Sequence, residues 1–367
     1  MRDQRAEALA RVLVHHSNDV QPGDVCLIEA ETTAEMLAQA VYEEVLGVGG
    51  LPIVNLTMEE QAAAFFRFAS DKQLDWISPP ALWSADEADV RFRIMADANT
   101  RALSGVDPSR QARRQRAVKP LMEKMMVRTA AGDFRWSLTL FPTQAYAAEA
   151  DMSLSEYEHF YYRACLCDRQ DPVAAWRNQA DEIRRLAEWM VGKEEVYIQA
   201  PGTDLRLNVS GRTFIPAEGK HNVPDGEFFT GPIEDSASGE VTFTYPALYG
   251  GREVSGVKLR FDQGRVTDAA AERNEDFLIH MLDTDDGARR LGEFGIGANY
   301  DIDRFTKEIL LDEKIGGTIH LAVGMSYPET GGQNDSAVHW DMVCDLRRGG
   351  RMTVDGRDFQ VDGKFVV

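Results

Sequence analysis

Val25-Cys26-Leu27-Ile28-Glu29-Ala30 and Leu51-Pro52-Ile53-Val54-Asn55-Leu56 are apolar runs of strand length, and Thr33 to Val45 between them has helical spacing, opened by threonines able to cap it. Strand, helix, strand is a βαβ unit, in which a right-handed crossover makes the two strands parallel. Outward from this unit, residues 4–16 read as a helix, and Phe92-Arg93-Ile94-Met95-Ala96 and Trp136-Ser137-Leu138-Thr139-Leu140-Phe141 continue the strands. Helices at about 153–166 and 172–192 close the series, the second with Trp176, Ile183, Leu186 and Met190 on one stripe. Gly47-Val48-Gly49-Gly50 follows a helix and not a strand, so it reads as a helix stop.

From Glu195 onward the pattern turns to short strands: Val196–Gln199, Leu205–Val209, Val241–Tyr245 and Val254 through Phe261, with turn signals at Asp225-Gly226 and Gln263-Gly264. Helices are expected near 271–282 and 285–293, the second delivering Glu293, and Met352–Gly363 reads as a closing hairpin. The expected fold class is therefore α/β, with a parallel α/β domain over 1–193 followed by a strand-rich α+β metal-binding domain over 194–367.

A chain of 367 residues with 44% hydrophobic content can build two cored domains. A net charge of −20 opposes binding to a phosphate backbone, so no nucleic-acid partner is expected. The basic cluster Arg110, Arg113, Arg114, Arg116 and Lys119 has helical spacing and reads as a solvated helix face or an intersubunit salt-bridge strip. The stretch Met1–Leu9 lacks the apolar run of a signal peptide, and nowhere do 18 apolar residues run together, so neither export nor membrane insertion is expected. Cys26, Cys165, Cys167 and Cys344 are too scattered for a disulfide framework and read as reduced thiols in the cytoplasm, Cys165 and Cys167 as packing residues. Phosphate-loop, His-Glu-x-x-His and Gly-x-Ser-x-Gly motifs are all missing from the sequence.

Two histidine-bearing runs carry the chemistry. In Gly316-Gly317-Thr318-Ile319-His320-Leu321-Ala322-Val323-Gly324, alternation places Ile319, Leu321 and Val323 on one face and Thr318, His320, Ala322 and Gly324 on the other. In Ala337-Val338-His339-Trp340-Asp341-Met342-Val343-Cys344, His339 and Asp341 share a face opposite Val338, Trp340, Met342 and Cys344. An unpaired buried polar group costs roughly 1–3 kcal/mol, so these side chains need partners. A divalent cation is one; a mutual hydrogen bond or a solvated edge is the plainer alternative. Glu227, in Pro224-Asp225-Gly226-Glu227-Phe228-Phe229-Thr230, and Glu293, in Leu291-Gly292-Glu293-Phe294-Gly295, also read singly as a turn-edge and a helix-end charge. Glu227, Glu293 and Asp341 together supply three negative charges, and one hydroxide makes the four that two divalent cations balance.

The order and context of Glu227, Glu293, His320, Tyr327, His339 and Asp341 resemble the M29 family of metal-dependent aminopeptidases, the aminopeptidase T and aminopeptidase S group. Flanking words fit as well: Gly226–Thr230 with Pro232, Leu282-Asp283-Thr284-Asp285 through Gly287-Ala288-Arg289-Arg290 to Glu293, Asp312-Glu313, and Gly331-Gly332-Gln333-Asn334-Asp335-Ser336. A weaker likeness extends through Gln170–Trp176 and Gly202–Leu205. The resemblance implies that Glu227, Glu293, His320, His339 and Asp341 ligate two divalent metal ions per chain (Zn, Co, Mn or Mg) and that Tyr327 is the active-site tyrosine. It also implies short peptides with a free amino terminus as substrates, and a homodimer. Only 18 residues separate His320 from His339, a shorter span than in the best-known members, and the shortfall in the loop between Tyr327 and Gly331 bears on which side chains fit.

The expected reaction is hydrolysis of the first peptide bond by a hydroxide held between the cations, with the Tyr327 hydroxyl facing the developing oxyanion. Glu313 stands as a candidate proton carrier, against the plainer reading of a solvent-facing loop carboxylate. The alternative is a mononuclear non-haem Fe(II) ring-cleaving dioxygenase using His320, His339 and Asp341, in which Glu227 and Glu293 have no task.

Overall fold

Strands β1 (Val25–Glu31) and β2 (Leu51–Thr57) lie side by side and parallel, Val25 opposite Leu51 and Glu31 opposite Thr57, in the computed structural model, which describes residues 3–367. Strand β3 (Val90–Met95) pairs with the other edge of β1, β4 (Arg135–Leu140) follows, and Asn222–Val223 completes a parallel five-stranded sheet. The helix read over 4–16 is α1 (Gln4–Val12), capped by the Asp3 carboxylate on the Arg5 amide, followed by a π-helical turn at Leu13–Ser17. The crossover between β1 and β2 is α2 (Glu35–Gly47), preceded by a 3₁₀ turn at Thr32–Ala34.

The basic cluster lies on α3 (Pro108–Ala131), which opens with the Asp107 cap and Pro108 in the first turn and stops at Gly132 in the left-handed conformation, φ 79°. Arg110 donates to the carbonyls of Phe66 and Ala69, Arg114 to those of Leu74 and Trp76, and Arg113 pairs with Asp71 and Asp75. Arg110 and Arg114 thus satisfy carbonyls at and just beyond the ends of the short helices Gln61–Phe68 and Asp71–Leu74, where a cation also meets the negative end of the helix dipole.

The later part of the chain is built from antiparallel sheets. The strands Glu195–Ala200, Thr203–Asn208, Ser238–Thr242, Lys258–Asp262, Arg265–Ala270, Arg351–Val354, Arg357–Val361 and Lys364–Phe365 form one of eight strands. A second, of five strands, contains Ile215–Ala217, β5 (Glu227–Thr230), β6 (Leu291–Gly297), β7 (Thr318–Gly324) and β8 (His339–Asp345), in the order β8-β7-β6-β5-(215–217). A parallel α/β domain followed by a strand-rich one is therefore what the chain forms.

Two compact units result: one runs to Arg177 and takes back Gly219–Pro224, and the other comprises Asn178–Glu218 and Asp225–Val367. The division falls inside α4 (Pro172–Trp189), whereas the change in sequence pattern falls near residue 193, after that helix has ended. Trp176, Ile183, Leu186 and Met190 are all buried, the last three in the core of the second unit.

Three local expectations are corrected. The helix expected over 285–293 is a 3₁₀ turn at Gly287–Arg289, and Glu293 lies on strand β6, because the glycines of this segment let it pack between two strands. The strand expected from Val254 through Phe261 is broken at Gly256, at φ 67°, into Arg252–Val254 and Lys258–Asp262. Helix α5 (Glu275–Leu282) is shorter than the 271–282 read from sequence, since Arg273 bridges to Ser255 and Asn274 takes the left-handed conformation at φ 60°.

The core face of β7 carries Ile319, Leu321 and Val323, each no more than 1% exposed. Replacing Leu321 by alanine is expected to lower unfolding free energy by about 2–5 kcal/mol, read from urea denaturation. A loss below about 1 kcal/mol would be inconsistent with this face lying in the core.

Candidate metal centre

Strand β7 is the hub of the site. Along one edge Gly324 faces His339, Ala322 faces Asp341 and His320 faces Val343; along the other, Ala322 faces Glu293 and His320 faces Gly295. One strand further on, Gly297 faces Glu227. Cross-strand partners share a face of the sheet, so Glu227, Glu293, His320, His339 and Asp341 all stand on one side. On the opposite side Phe228, Phe294, Ile319, Leu321, Trp340 and Met342 are buried in the core. Gly295 makes the slot for the His320 ring, which a Cβ at that position would overlap. The register shifts between Leu291 and Glu293, at Gly292, where an added Cβ would overlap the carbonyls of Gly324 and Met325.

Glu293 stands between the two imidazoles, its Oε1 3.3 Å from His320 Nε2 and its Oε2 3.2 Å from His339 Nε2. Glu227 Oε2 lies 3.4 Å from His320 Nε2, and Asp341 Oδ2 3.5 Å from His339 Nε2. Each histidine is oriented through its other nitrogen: Nδ1 of His320 is 3.1 Å from the Glu313 carbonyl and Nδ1 of His339 is 2.8 Å from that of Met325. A backbone carbonyl accepts only from a protonated Nδ1, so Nε2 is the nitrogen left to bind a cation.

Two sets of donors have ligand atoms within 4.8 Å of one another: Glu227, Glu313 and His320, and Glu293, His339 and Asp341. Glu227 Oε2 and Asp341 Oδ1 are buried with no hydrogen-bond partner among the described residues. Orphaned carboxylate oxygens, one in each set, beside imidazoles offering Nε2, fit oxygen- and nitrogen-binding divalent cations.

The charges are tightly interlocked. Burial pushes the Glu227 carboxyl up against the pull of Lys314, and burial with the neighbouring Glu293 pushes Asp341 up. Burial also acts to raise Glu293, but its contacts with His320 and His339 outweigh this and hold it well below the usual range. Burial would lower both imidazoles, yet the carboxylates lift His320 to about 10 and His339 to about 9.

Tyr327 follows β7, its ring 5.1 Å from that of His339 and 5.6 Å from that of Phe229. Burial, followed by Glu293 and Asp341, pushes its phenol above the ordinary value, so the hydroxyl remains a donor. Glu313, weighed in the sequence mainly as a solvent-facing loop residue, belongs to the first donor set, with only 18% of its side chain exposed. Lys314 was not legible as a site residue: it is wholly buried, 3.3 Å from Glu227 Oε1 and ion-paired with Glu313. Its only sequence signal is its place in Asp312-Glu313-Lys314, a mixed charge run that usually marks a solvated turn.

A profile of the thermophilic metalloprotease family M29 matches residues 2–364. Aminopeptidase 2 of Geobacillus stearothermophilus is 28% identical, over 97% of this chain and 94% of that protein. The solved structure of wild-type AmpT from Thermus thermophilus superposes with a TM-score of 0.83 at 23% identity, over 99% of both chains. A 2,5-dihydroxypyridine dioxygenase from Pseudomonas putida KT2440 shares the fold more distantly, with a TM-score of 0.59 at 12% identity over 99% of this chain and 97% of that one.

Two outcomes follow from the geometry. Gly295→Ala should displace the His320 ring and weaken Zn²⁺ binding at least ~10-fold while the circular dichroism spectrum is retained; unchanged binding would contradict the slot. In the cation-free protein the imidazole protons leave only as pH approaches about 9 to 10, and a cation must displace them. Calorimetric titration with Zn²⁺ should therefore show proton release and an affinity that climbs from pH 6 to pH 9. A flat profile would mean that the imidazoles are not ligands.

Proposed function

The chain belongs to the M29 family of metallopeptidases, and we propose that it is an aminopeptidase that removes amino-terminal residues from short peptides at a centre of two divalent cations. The observation that carries this reading is the position of Glu293, one oxygen toward His320 and the other toward His339. Glu227 and His320 would hold one cation, His339 and Asp341 the other, and Glu293 would offer an oxygen to each. Divalent cations bound there supply Lewis acidity and lower the pKa of a water from about 15.7 towards 7.

The remaining steps fall to side chains. The Tyr327 hydroxyl, kept protonated, donates to the oxyanion that develops on the scissile carbonyl. Glu313 takes the proton of the attacking water and returns it to the leaving amine. The chain's net charge of −20 draws in the cationic amino terminus of a peptide, which favours substrates with a free amine. The dioxygenase alternative uses His320, His339 and Asp341 alone; it would leave Glu227 and Glu293, both 5% exposed, as costly buried acids without a role.

The proposal extends to a cytoplasmic homodimer. Its four cysteines are buried free thiols, which suits a reducing compartment. Edge strand β2 exposes Leu51 and Ile53 on one face and Val54 and Leu56 on the other, an apolar edge that a second copy would cover. Among the described residues no helix is long and apolar enough to cross a membrane.

Digestion of a peptide library with Zn²⁺ or Mn²⁺ present, followed by mass spectrometry, is expected to show stepwise loss from the amino end. Glu227→Gln and Glu293→Gln should each reduce kcat/KM by at least ~1000-fold with the fold intact. Internal cleavage, or full activity in either variant, would overturn the reading.

A further inference from the structure

Resting on the reading above, the geometry points to Lys314 as a positioning residue: it ties down one oxygen of Glu227 and cancels the charge of Glu313, leaving Glu313 to carry protons instead of binding a cation. Lys314 is 0% exposed, and its backbone is fixed by N–H donation to the Leu311 carbonyl at 3.1 Å and by acceptance from the Asn299 amide at 3.1 Å. The ammonium is therefore delivered to one place, against the Glu313 carboxylate and 3.3 Å from Glu227 Oε1.

This placement makes the two oxygens of Glu227 unequal. Oε1 is held by the ammonium, while Oε2 is buried without a hydrogen-bond partner among the described residues and lies on the His320 side. Only Oε2 is offered to a cation, so Glu227 would bind one through a single oxygen. The same ammonium engages Glu313, whose carboxylate is otherwise near enough to Glu227 and His320 to serve as a ligand.

Charge counting gives the second reason. Glu227, Glu293, Glu313 and Asp341 carry four negative charges and Lys314 one positive, leaving the net −3 that two divalent cations and a hydroxide neutralise. Without the lysine a fourth carboxylate would overcharge the site and bind cations more tightly than turnover needs. With it, the fourth carboxylate stands in the site without altering the balance.

The test is titration of the full-length protein with Zn²⁺ at pH 8, alongside steady-state kinetics on an amino-acid anilide. Wild type should take up two cations. In Lys314→Met, affinity for at least one cation should rise ~10-fold or more while kcat falls ~100-fold with little change in KM, as Glu313 becomes a ligand. The double variant Lys314→Met/Glu313→Gln restores the charge count, so affinity should return to within about threefold of wild type while activity stays low. It also serves if Lys314→Met alone does not fold, because it leaves no unpaired acid facing Glu227. Weaker binding in Lys314→Met, or a double variant that folds yet does not regain wild-type affinity, overturns the role of Lys314 alone. A wild type that binds no cation overturns the functional reading and this inference together.

Discussion

Side chains alternate across a β-strand, and four adjacent strands of the second unit turn the five donors to one face and pack the other face into the core. Everything at the site depends on that division. The apolar face is committed to the core, so a slip of one residue in β7 would turn His320 into the hydrophobic core and put Leu321 on the donor face. The packing that stabilises the unit therefore also fixes the register of the donors. Glycines at 292 and 295 remove the side chains that would otherwise stand in the way.

The cost of this arrangement is electrostatic. Glu227, Glu293 and His320 are each no more than 5% exposed, and buried acids are tolerated only when they are paired. Pairing is extensive but incomplete: Glu293 is shared by two imidazoles, Lys314 is shared by two carboxylates, and one oxygen each of Glu227 and Asp341 has no hydrogen-bond partner among the described residues. Carbonyls of Glu313 and Met325 hold the imidazoles from behind. The donors are thus arranged without a cation, and cation binding would take the form of exchange with protons.

The fold alone does not determine the chemistry, since AmpT and a 2,5-dihydroxypyridine dioxygenase both share it. The donor set narrows the choice, and much of it was legible in the sequence. The alternation around His320 and around His339 and Asp341 named both faces of β7 and β8 correctly, because strand parity needs no knowledge of tertiary contacts. The placement of Glu293 did not follow from parity: Leu291-Gly292-Glu293-Phe294-Gly295-Ile296-Gly297 has the glycine content of a loop or helix end, and only the neighbouring His320 ring explains Gly295. Lys314 was hidden for a related reason, since a lysine after two acids looks solvated until long-range packing buries it. In the first unit the βαβ order was readable from apolar runs, whereas Gln61–Phe68, Asp71–Leu74 and Pro79–Glu87 were not, being short helices whose ends are satisfied partly by arginines distant in sequence.

The central claim is that these donors hold a pair of cations. Anomalous X-ray scattering from crystals grown with saturating Zn²⁺ or Mn²⁺ tests it most directly. Two peaks are expected on the polar face of β7, one beside Glu227 and His320 and one beside His339 and Asp341, with Glu293 touching both. A single peak held by His320, His339 and Asp341, with Glu227 and Glu293 turned away, would contradict the account.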